Sequence, residues 1–290
     1  MKLLIKKLAI SIGLATAPYL PTRSLRSFFY NKITPFLIDP RVLPMGLVIR
    51  PARRFGLDIL CDPYVYVHQS YYWCGVFYEE EVENYILREI KAGDTVIDVG
   101  MNVGHVSIPA AKLVGSQGRV IAFEPNIDLV KRVETLASKQ GLKQLTIKPF
   151  GLGSSQGTFL LNMDCDHSGG ATFRKPLSSD GFNMSIEVKV EIGDEVLHQE
   201  KLLGRIFLKM DVEGCEIDAL KGLTKTLKIV DHAIVEISPE WLNLDDLMEL
   251  SAIMEASGFD SFYLADNGKA GAPVHLKNIV SQSNILFLRK

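Results

Sequence analysis

From residue 79 to the end of the chain, short apolar runs rich in Val and Ile alternate with longer segments that carry apolar residues at helical spacing. The runs predict strands over residues 95–99, 119–123, 145–148, 205–210, 233–237, 261–264 and 285–289. The longer segments predict helices over residues 79–90, 103–113, 127–140, 215–223 and 244–257. Such alternation is typical of an α/β fold, in which helices cover both faces of a mainly parallel sheet.

Residues 157–191 depart from this alternation. Residues 157–162 and 185–191 have the pattern of strands, and a segment rich in Gly, Ser and Asp lies between them at 164–181. We interpret this stretch as an inserted β arm that carries a long loop. Loops of such length in compact domains are usually functional or mobile.

Residues 1–78 have a third pattern, because prolines divide them into short segments. These prolines are Pro18, Pro21, Pro35, Pro40, Pro44, Pro51 and Pro63. They predict an irregular N-terminal extension, so we divide the chain into this extension and a domain over residues 79–290. The end of the extension, 64–78, is rich in aromatic residues, which favours packing against the next domain over the lining of a pocket.

The first seventeen residues combine lysines at 2, 6 and 7 with an apolar run at 8–17. This run is far shorter than the roughly 20 residues that a membrane-spanning helix needs. A secretory signal peptide would place Pro18 directly after its cleavage site, where proline makes a poor protease substrate. We therefore favour a packed or interfacial helix.

Charge is distributed unevenly along the chain. The totals are 32 Lys+Arg against 34 Asp+Glu, a net charge of −2, which argues against nucleic acid as a partner. The first 60 residues hold ten Lys or Arg but only Asp39 and Asp58, so they carry +8 and the remainder carries −10. A basic segment of this kind can contact anionic lipid, a polyanionic substrate or the acidic body of its own chain.

The cysteines give no sign of a structural metal or disulfide framework. Cys61, Cys74, Cys165 and Cys215 have no C-x-x-C spacing. Free thiols are typical of a reducing compartment, which predicts a cytoplasmic protein. Peripheral membrane contact through the basic N-terminus is a further hypothesis for its location.

The strongest local motif is the glycine loop that follows the predicted strand 95–99. Its candidate ligand-binding residues are Asp98, Gly100, Asn102 and Gly104. A turn of this kind offers backbone N–H groups and close approach at the carboxyl edge of a sheet. A dinucleotide fingerprint would need glycine where Asn102 and His105 stand, so NAD is not expected. Because Asp98 would repel phosphate, the motif favours a neutral or cationic ligand.

The next predicted strand ends in Glu124, whose carboxylate can accept hydrogen bonds from both hydroxyls of a ribose. Pro125 stops this strand, and Asn126 is a good N-cap for the following helix. After the third strand, the backbone around Leu152 can flank an adenine. A nucleoside without pyrophosphate but with a cationic centre fits S-adenosylmethionine (SAM), which we predict as the cofactor.

Three acids follow the predicted strand 205–210, namely Asp211, Glu213 and Glu216. This strand end should face the same crevice as the glycine loop, so Asp211 or Glu213 is a candidate general base for a hydroxyl that accepts a methyl group. Two of the acids could instead hold a divalent cation. Glu213 and Glu216 could also simply stabilise the start of the next helix. His105, His167 and residues 168–172 are weaker candidates for the site.

Taken together, these motifs resemble the FkbM family of SAM-dependent methyltransferases. The resemblance rests on four blocks in order, at residues 98–104, 123–126, 151–154 and 209–216, with further similarity at 168–172 and 236–239. It implies a class I methyltransferase fold, which is Rossmann-like with an antiparallel final strand. It also implies O-methylation of a hydroxyl on a saccharide, polyketide or other secondary metabolite.

Other functions stay open at this stage. The acceptor could be a nitrogen or a carboxylate, in which case a general base would matter little. The chain could also be a non-catalytic module that binds a nucleoside. The expected partner is a small-molecule or glycan acceptor.

Overall fold

The computed structural model describes residues 2–164, 167–172 and 184–290. Its N-terminal region forms helices and a hairpin, which corrects the irregular chain that the prolines predicted. These elements are α1 (Lys2–Thr16), α2 (Arg23–Phe28), α3 (Thr34–Leu37), β1 (Val48–Ala52), β2 (Leu57–Cys61) and α4 (Tyr66–Cys74). The prolines are tolerated because Pro18 and Pro35 lie in the first turns of short helices and Pro51 lies in a two-stranded hairpin.

The rest of the chain alternates between strands and helices. The helices are α5 (Glu80–Glu89), α6 (Ser107–Val114), α7 (Ile127–Lys139), α8 (Gly193–Leu197), α9 (Glu216–Lys221) and α10 (Leu244–Ala256). The strands are β3 (Thr95–Val99), β4 (Arg119–Phe123), β5 (Leu145–Lys148), β6 (Gly151–Gly153), β7 (Gly157–Asp164), β8 (His167–Thr172), β9 (Met184–Ile192), β10 (Ile206–Met210), β11 (His232–Ile237), β12 (Phe259–Leu264), β13 (Ala270–Pro273) and β14 (Ser283–Arg289).

Eight strands form the central sheet, in the order β13-β12-β14-β11-β10-β3-β4-β5. The five strands from β5 to β11 run parallel to their neighbours. The last strand, β14, lies antiparallel between β11 and β12. This arrangement confirms the predicted class I methyltransferase fold.

Most predicted elements lie within two residues of the observed ones, and three strands agree at both ends. Helix α6 is an exception, because it begins at Ser107 and not at residue 103. The reason is the positive φ of Asn102 (52°) and Gly104 (83°), which a right-handed helix does not allow. The short edge strand β13 was not predicted.

The inserted β arm is a separate sheet of four strands, in the order β6-β9-β7-β8. Strands β7 and β9 correspond to the two predicted strands of the arm. The predicted loop at 164–181 is corrected in part, because His167–Thr172 forms β8. Residues 165–166 and 173–181 of that loop lie outside the described residues.

The two faces of the central sheet pack against different parts of the chain. Val96, Phe207 and Ile234 belong to one hydrophobic cluster, on what we call the first face, together with Ile10 and Trp73 of the N-terminal region. Ile97, Leu208 and Val235 belong to the other cluster, on the second face, with side chains of α9 and α10. Neighbouring residues of a strand point to opposite faces, which explains this division. The predicted boundary at residue 78 stays a prediction.

Ion pairs also connect the N-terminal region to the acidic body. Arg54 Nη1 lies 2.6 Å from Glu83 Oε2, and Arg23 Nη2 lies 3.0 Å from Glu81 Oε2. Part of the basic surplus is therefore used within the chain. Among the described residues, none of the helices combines the length and the apolar character that crossing a bilayer requires.

Candidate functional site

The glycine loop joins the carboxyl ends of three neighbouring strands. The N–H groups of Gly100 and Met101 both donate to the Phe123 carbonyl at 3.0 Å, and the Asp211 N–H donates to the Val99 carbonyl at 3.0 Å. Gly100 has φ 87°, and a Cβ on it would lie 1.8 Å from the Asp211 carbonyl oxygen. Only glycine therefore permits this close approach of β3 and β10.

Gly104, the second glycine of the loop, allows two helices to pack closely. It has φ 83°, and a Cβ on it would approach Val133 of α7 to 3.0 Å and Ile108 of α6 to 3.2 Å. Its role in the structure is thus in packing. The ligand contact that the sequence suggested for it stays a prediction.

Glu124 lies directly after β4, and both of its carboxylate oxygens accept a backbone hydrogen bond. The donors are the N–H of Asn102 and the N–H of Asn126, each at 2.8 Å. Burial raises the pKa of Glu124 to about 7, although these two hydrogen bonds act in the opposite direction. Asn126 is the N-cap of α7, as predicted, because its side chain accepts from the Asp128 N–H at 3.1 Å. The carboxylate is therefore fixed in position, with lone pairs left for a ligand.

Three ionisable side chains interrupt the apolar first face of the sheet. They are Asp98 on β3, Lys209 on β10 and Glu236 on β11, and all three are buried. Asp98 and Lys209 are register partners in the parallel pair of β3 and β10. Burial raises the pKa of Asp98 to about 6, although Ser107 donates a hydrogen bond to it.

The Lys209 ammonium lies inside a cluster of carboxylates. Oxygen atoms of Glu79, Asp211 and Glu236 come within 4.8 Å of one another, and Lys209 Nζ is 3.6 Å from Asp211 Oδ2. Burial alone would lower the pKa of Lys209, but the surrounding carboxylates outweigh burial and raise it. Burial also raises the pKa values of Glu79 and Glu236, and Lys209 opposes this effect. We call these four residues the Lys209 cluster.

The loop between β10 and α9 presents the remaining predicted acids. Glu213 has a left-handed φ of 47°, which is uncommon for a residue other than glycine. Burial and the nearby Asp211 and Glu216 raise its pKa to about 8. Glu216 has a structural role, as one alternative predicted, because it accepts the Gly214 N–H at 3.1 Å at the start of α9.

A pocket with about 670 Å³ of empty space opens in front of these strand ends. Its walls contain five predicted site residues, namely Asp98, Gly100, Asn102, Asp211 and Glu213. The other four predicted residues lie outside the lining found in the described part of the chain, namely Gly104, Glu124, Asn126 and Leu152. Leu152 is buried in the cluster on the second face, so the predicted contact of its neighbourhood with adenine stays a prediction.

One wall of the pocket comes from the aromatic segment of the N-terminal region. Phe77 and Tyr78 line the pocket, while Tyr71 and Trp73 are buried. The segment therefore packs against the rest of the protein and also lines the pocket. His105 also lines the pocket, but its Nε2 is 2.8 Å from the Leu60 carbonyl and burial lowers its pKa to about 4. The side chain of His167 lies outside the description.

Sequence reasoning missed Glu79, Lys209 and Glu236. A signal for the latter two was present, since each is an ionisable residue at the carboxyl end of an otherwise apolar strand. Alternation places each of them two positions after a core residue, Phe207 or Ile234, on the same face. Glu79 carried no such signal, because only the packing of α5 against the sheet brings it to the cluster.

Comparisons with known proteins agree with the motifs. Residues 98–261 match the sequence profile of the Methyltransferase FkbM domain. Hexuronic acid methyltransferase AglP of Haloferax volcanii is 31% identical over 160 residues, which are 55% of this chain and 62% of AglP. The chain therefore spans less than two thirds of the length of that relative.

Two further similarities extend the comparison. Methyltransferase sdnD of Sordaria araneosa is 27% identical over 206 residues, which cover 61% of this chain and 77% of sdnD. The crystal structure of an FkbM methyltransferase from Methylobacillus flagellatus superposes with a TM-score of 0.42 at 16% identity. That superposition covers 68% of this chain and 43% of the other.

Proposed function

Because the chain belongs to the FkbM methyltransferase family, as its motifs predicted, we propose that it methylates a hydroxyl of a saccharide or secondary metabolite with SAM. The observation that carries this proposal is the arrangement of two carboxylates at neighbouring strand ends. Glu124 is positioned by two backbone N–H groups, and Asp98 faces the acidic pocket. These residues suit the ribose and the cationic part of SAM, respectively.

The residues fit SAM in charge as well as in position. Five carboxylates line the pocket. Among the described lining residues, Lys209 is the only lysine or arginine. A sulfonium ion is attracted to such a site, whereas a pyrophosphate is repelled. SAM supplies a methyl group on positively charged sulfur, and its transfer to oxygen leaves the neutral thioether S-adenosylhomocysteine (SAH).

We propose Asp211 as the general base that takes the proton of the acceptor hydroxyl. Its side chain is 32% exposed, so a substrate can reach it, while Asp98 and Glu236 are buried. Lys209 places a positive charge 3.6 Å from it. Glu213 is the alternative base, and its pKa of about 8 predicts a single-turnover rate that rises with pH through that value. A rate without this rise would exclude Glu213 as the base.

The Lys209 cluster also bears on the hypothesis of a divalent cation. Carboxylate oxygens are the ligands that Mg²⁺ prefers, and three of them converge here. However, the Lys209 ammonium already provides a positive charge within the cluster. We propose that it takes the place of a metal ion, so chelation with EDTA should leave turnover unchanged. Activity that EDTA abolishes and Mg²⁺ restores would contradict this.

The acceptor class follows from the walls of the pocket. Carboxylates such as Glu79 and Glu236 accept hydrogen bonds from hydroxyl groups, and Phe77 and Tyr78 offer apolar surface to a sugar ring. One relative is named as a hexuronic acid methyltransferase, which supports a saccharide.

The test is transfer of radiolabelled methyl from SAM to a panel of neutral sugars, uronic acids, polyketide alcohols and amines. We expect labelled methyl ethers and dependence on Asp211. Labelled amines or esters that form equally well in Asp211→Asn would favour N- or carboxyl-methylation. SAM binding with no transfer to any member of the panel would favour the non-catalytic module.

A further inference from the structure

Helix α1 has one face that packs against the protein. Ile10, and Ala17 directly after the end of the helix, are buried in the cluster on the first face. Gly13 lies against Phe29 and Trp73, where a Cβ would meet side-chain atoms at 3.3 Å. On the same side, Lys6 Nζ forms an ion pair with Asp39 Oδ2 at 3.1 Å. The position of the helix on the body is therefore well defined.

The opposite face of α1 is an exposed apolar ridge. Leu4, Leu8 and Ile12 follow one another at a spacing of four residues, which places them in one row along the helix, with Ile5 beside them. Their exposed fractions are 72%, 62%, 54% and 61%, respectively. A contiguous row of large apolar side chains on a folded protein indicates an interaction surface.

The basic charge of the segment that carries this ridge indicates the kind of partner that the ridge binds. The first 38 residues contain six Lys or Arg and no Asp or Glu, and three of the six, Lys6, Arg23 and Arg26, form ion pairs with acids further along the chain. Lys7, beside Leu8 in the ridge, is exposed. Basic residues next to an apolar helix face are typical of helices that lie on membranes with anionic lipids.

Helix α10 provides a contrast within the same molecule. Leu244 and Met248 are also four residues apart and are 56% and 57% exposed. Acidic residues surround them, namely Asp245, Asp246 and Glu249. An anionic surface would repel that helix, so exposure of apolar residues alone does not distinguish the two sites.

We propose that the ridge of α1 binds the surface of a bilayer that contains anionic phospholipids. The helix lies along the interface and does not cross it, since 15 residues reach about 22 Å and the hydrocarbon core is about 30 Å thick. The packed face keeps the body of the protein attached to the helix. This inference goes beyond the proposed methyl transfer and does not depend on it.

The test is co-sedimentation of the full chain with vesicles of phosphatidylcholine alone or of equimolar phosphatidylcholine and phosphatidylglycerol. The variant is Leu4→Gln/Leu8→Gln, in which glutamine preserves helix propensity. The matched control is Leu244→Gln/Met248→Gln, a pair with the same spacing and similar exposure. Thermal melting and circular dichroism establish that both variants are folded.

We expect wild type and control to bind the anionic vesicles, and the α1 variant to bind at least about tenfold more weakly. Binding to pure phosphatidylcholine should be weaker, and salt should reduce binding to the anionic vesicles. Equal binding of both double variants would overturn the proposal. A second outcome would also overturn it: the wild type does not bind vesicles but forms a dimer, and the Leu4→Gln/Leu8→Gln variant is monomeric. The ridge would then bind a second copy of the chain.

Discussion

The two ends of the candidate site hold their carboxylates in different ways. At one end, the Glu124 carboxylate accepts hydrogen bonds from two backbone N–H groups, and the geometry of the strand and the loop sets the positions of both donors. At the other end, the Lys209 cluster combines three carboxylates with one ammonium on three separate elements. Backbone N–H donors hold a carboxylate in one position. In a cluster of opposite charges, by contrast, the electrostatic balance changes when a charged ligand binds.

This difference assigns separate tasks to the two ends. A fixed carboxylate is suited to a ligand group that does not change during reaction, such as the hydroxyls of a ribose. A cluster of mixed charge is suited to the place where charge changes, because methyl transfer converts a cation into a neutral thioether. Substitutions at the two ends should therefore affect different steps.

The largest expected effect is at the charged end. Asp211→Asn should lower turnover by about 10²- to 10⁴-fold, the range for loss of a general base, while SAM affinity changes little. Rates of labelled methyl transfer and calorimetric titration with SAM measure the two quantities. Asp260→Asn, an exposed acid paired with Lys290, is the control and should match wild type. A loss of SAM affinity equal to the loss of turnover would show that the two ends do not have separate tasks.

Glu124→Gln should show the opposite pattern. Loss of the charged acceptor should weaken SAM by about 10- to 100-fold, since hydrogen bonds to charged groups contribute about 1.5–3 kcal/mol each. Turnover at saturating SAM should stay near that of wild type. Calorimetry measures the affinity, and Glu134→Gln, on the exposed face of α7, provides the control. Unchanged affinity would remove Glu124 from the ribose site.

The junction between the two ends can be tested through the glycines. Gly100→Ala should lower the free energy of unfolding by about 1–2 kcal/mol more than Gly104→Ala. Both substitutions place a side chain at positive φ, but at Gly100 the new Cβ also meets the Asp211 carbonyl oxygen at 1.8 Å. Urea unfolding measures both values. Equal destabilisation would show that β3 and β10 separate easily at this point.

The smallest expected effect is a dependence on pH. In the free protein, burial raises the pKa of Asp98 to about 6 and that of Glu213 to about 8. A cationic sulfonium stabilises the ionised carboxylates, so SAM binding releases protons and its affinity rises with pH over this window. SAH lacks that charge, while its ribose is the same, so any titration of Glu124 affects both ligands alike.

The SAH dissociation constant divided by the SAM dissociation constant should therefore increase by about threefold or more from about pH 6 to 8. For scale, a tenfold change in this ratio corresponds to about 1.4 kcal/mol. Parallel calorimetric titrations across this range give the ratio. A ratio that stays constant or falls would place the sulfonium away from these acids.

The sequence predicted the parts of the molecule that local patterns determine. Strands β3 and β4 agreed at both ends, because runs rich in Val and Ile near glycine or proline mark buried parallel strands. Strand β5 agreed as well, although it is a partly buried strand at the edge of the sheet. Asn126 was predicted as an N-cap from residue type and position alone. By contrast, the positive φ values of Asn102 and Gly104 delay α6, and the preference of asparagine and glycine for this region was a signal that the helical spacing of the segment concealed.

The charged end was predicted only in part, for a physical reason. Asp211 and Glu213 follow a strand directly, so the rule for carboxyl edges located them. Glu79 reaches the cluster only through packing of α5 on the sheet, which a local pattern does not encode. Lys209 looked like an interruption of an apolar strand until its acidic partners were placed around it.

The most direct test of the account is calorimetric titration of the full chain with SAM, SAH and NAD in the presence of EDTA. We predict that one equivalent of SAM or SAH binds and that NAD does not, because the glycine loop places Asp98 and Glu124 where a nucleoside with a cation fits and a pyrophosphate does not. Failure of both sulfur nucleosides to bind to the folded protein, or binding of NAD in their place, would contradict it.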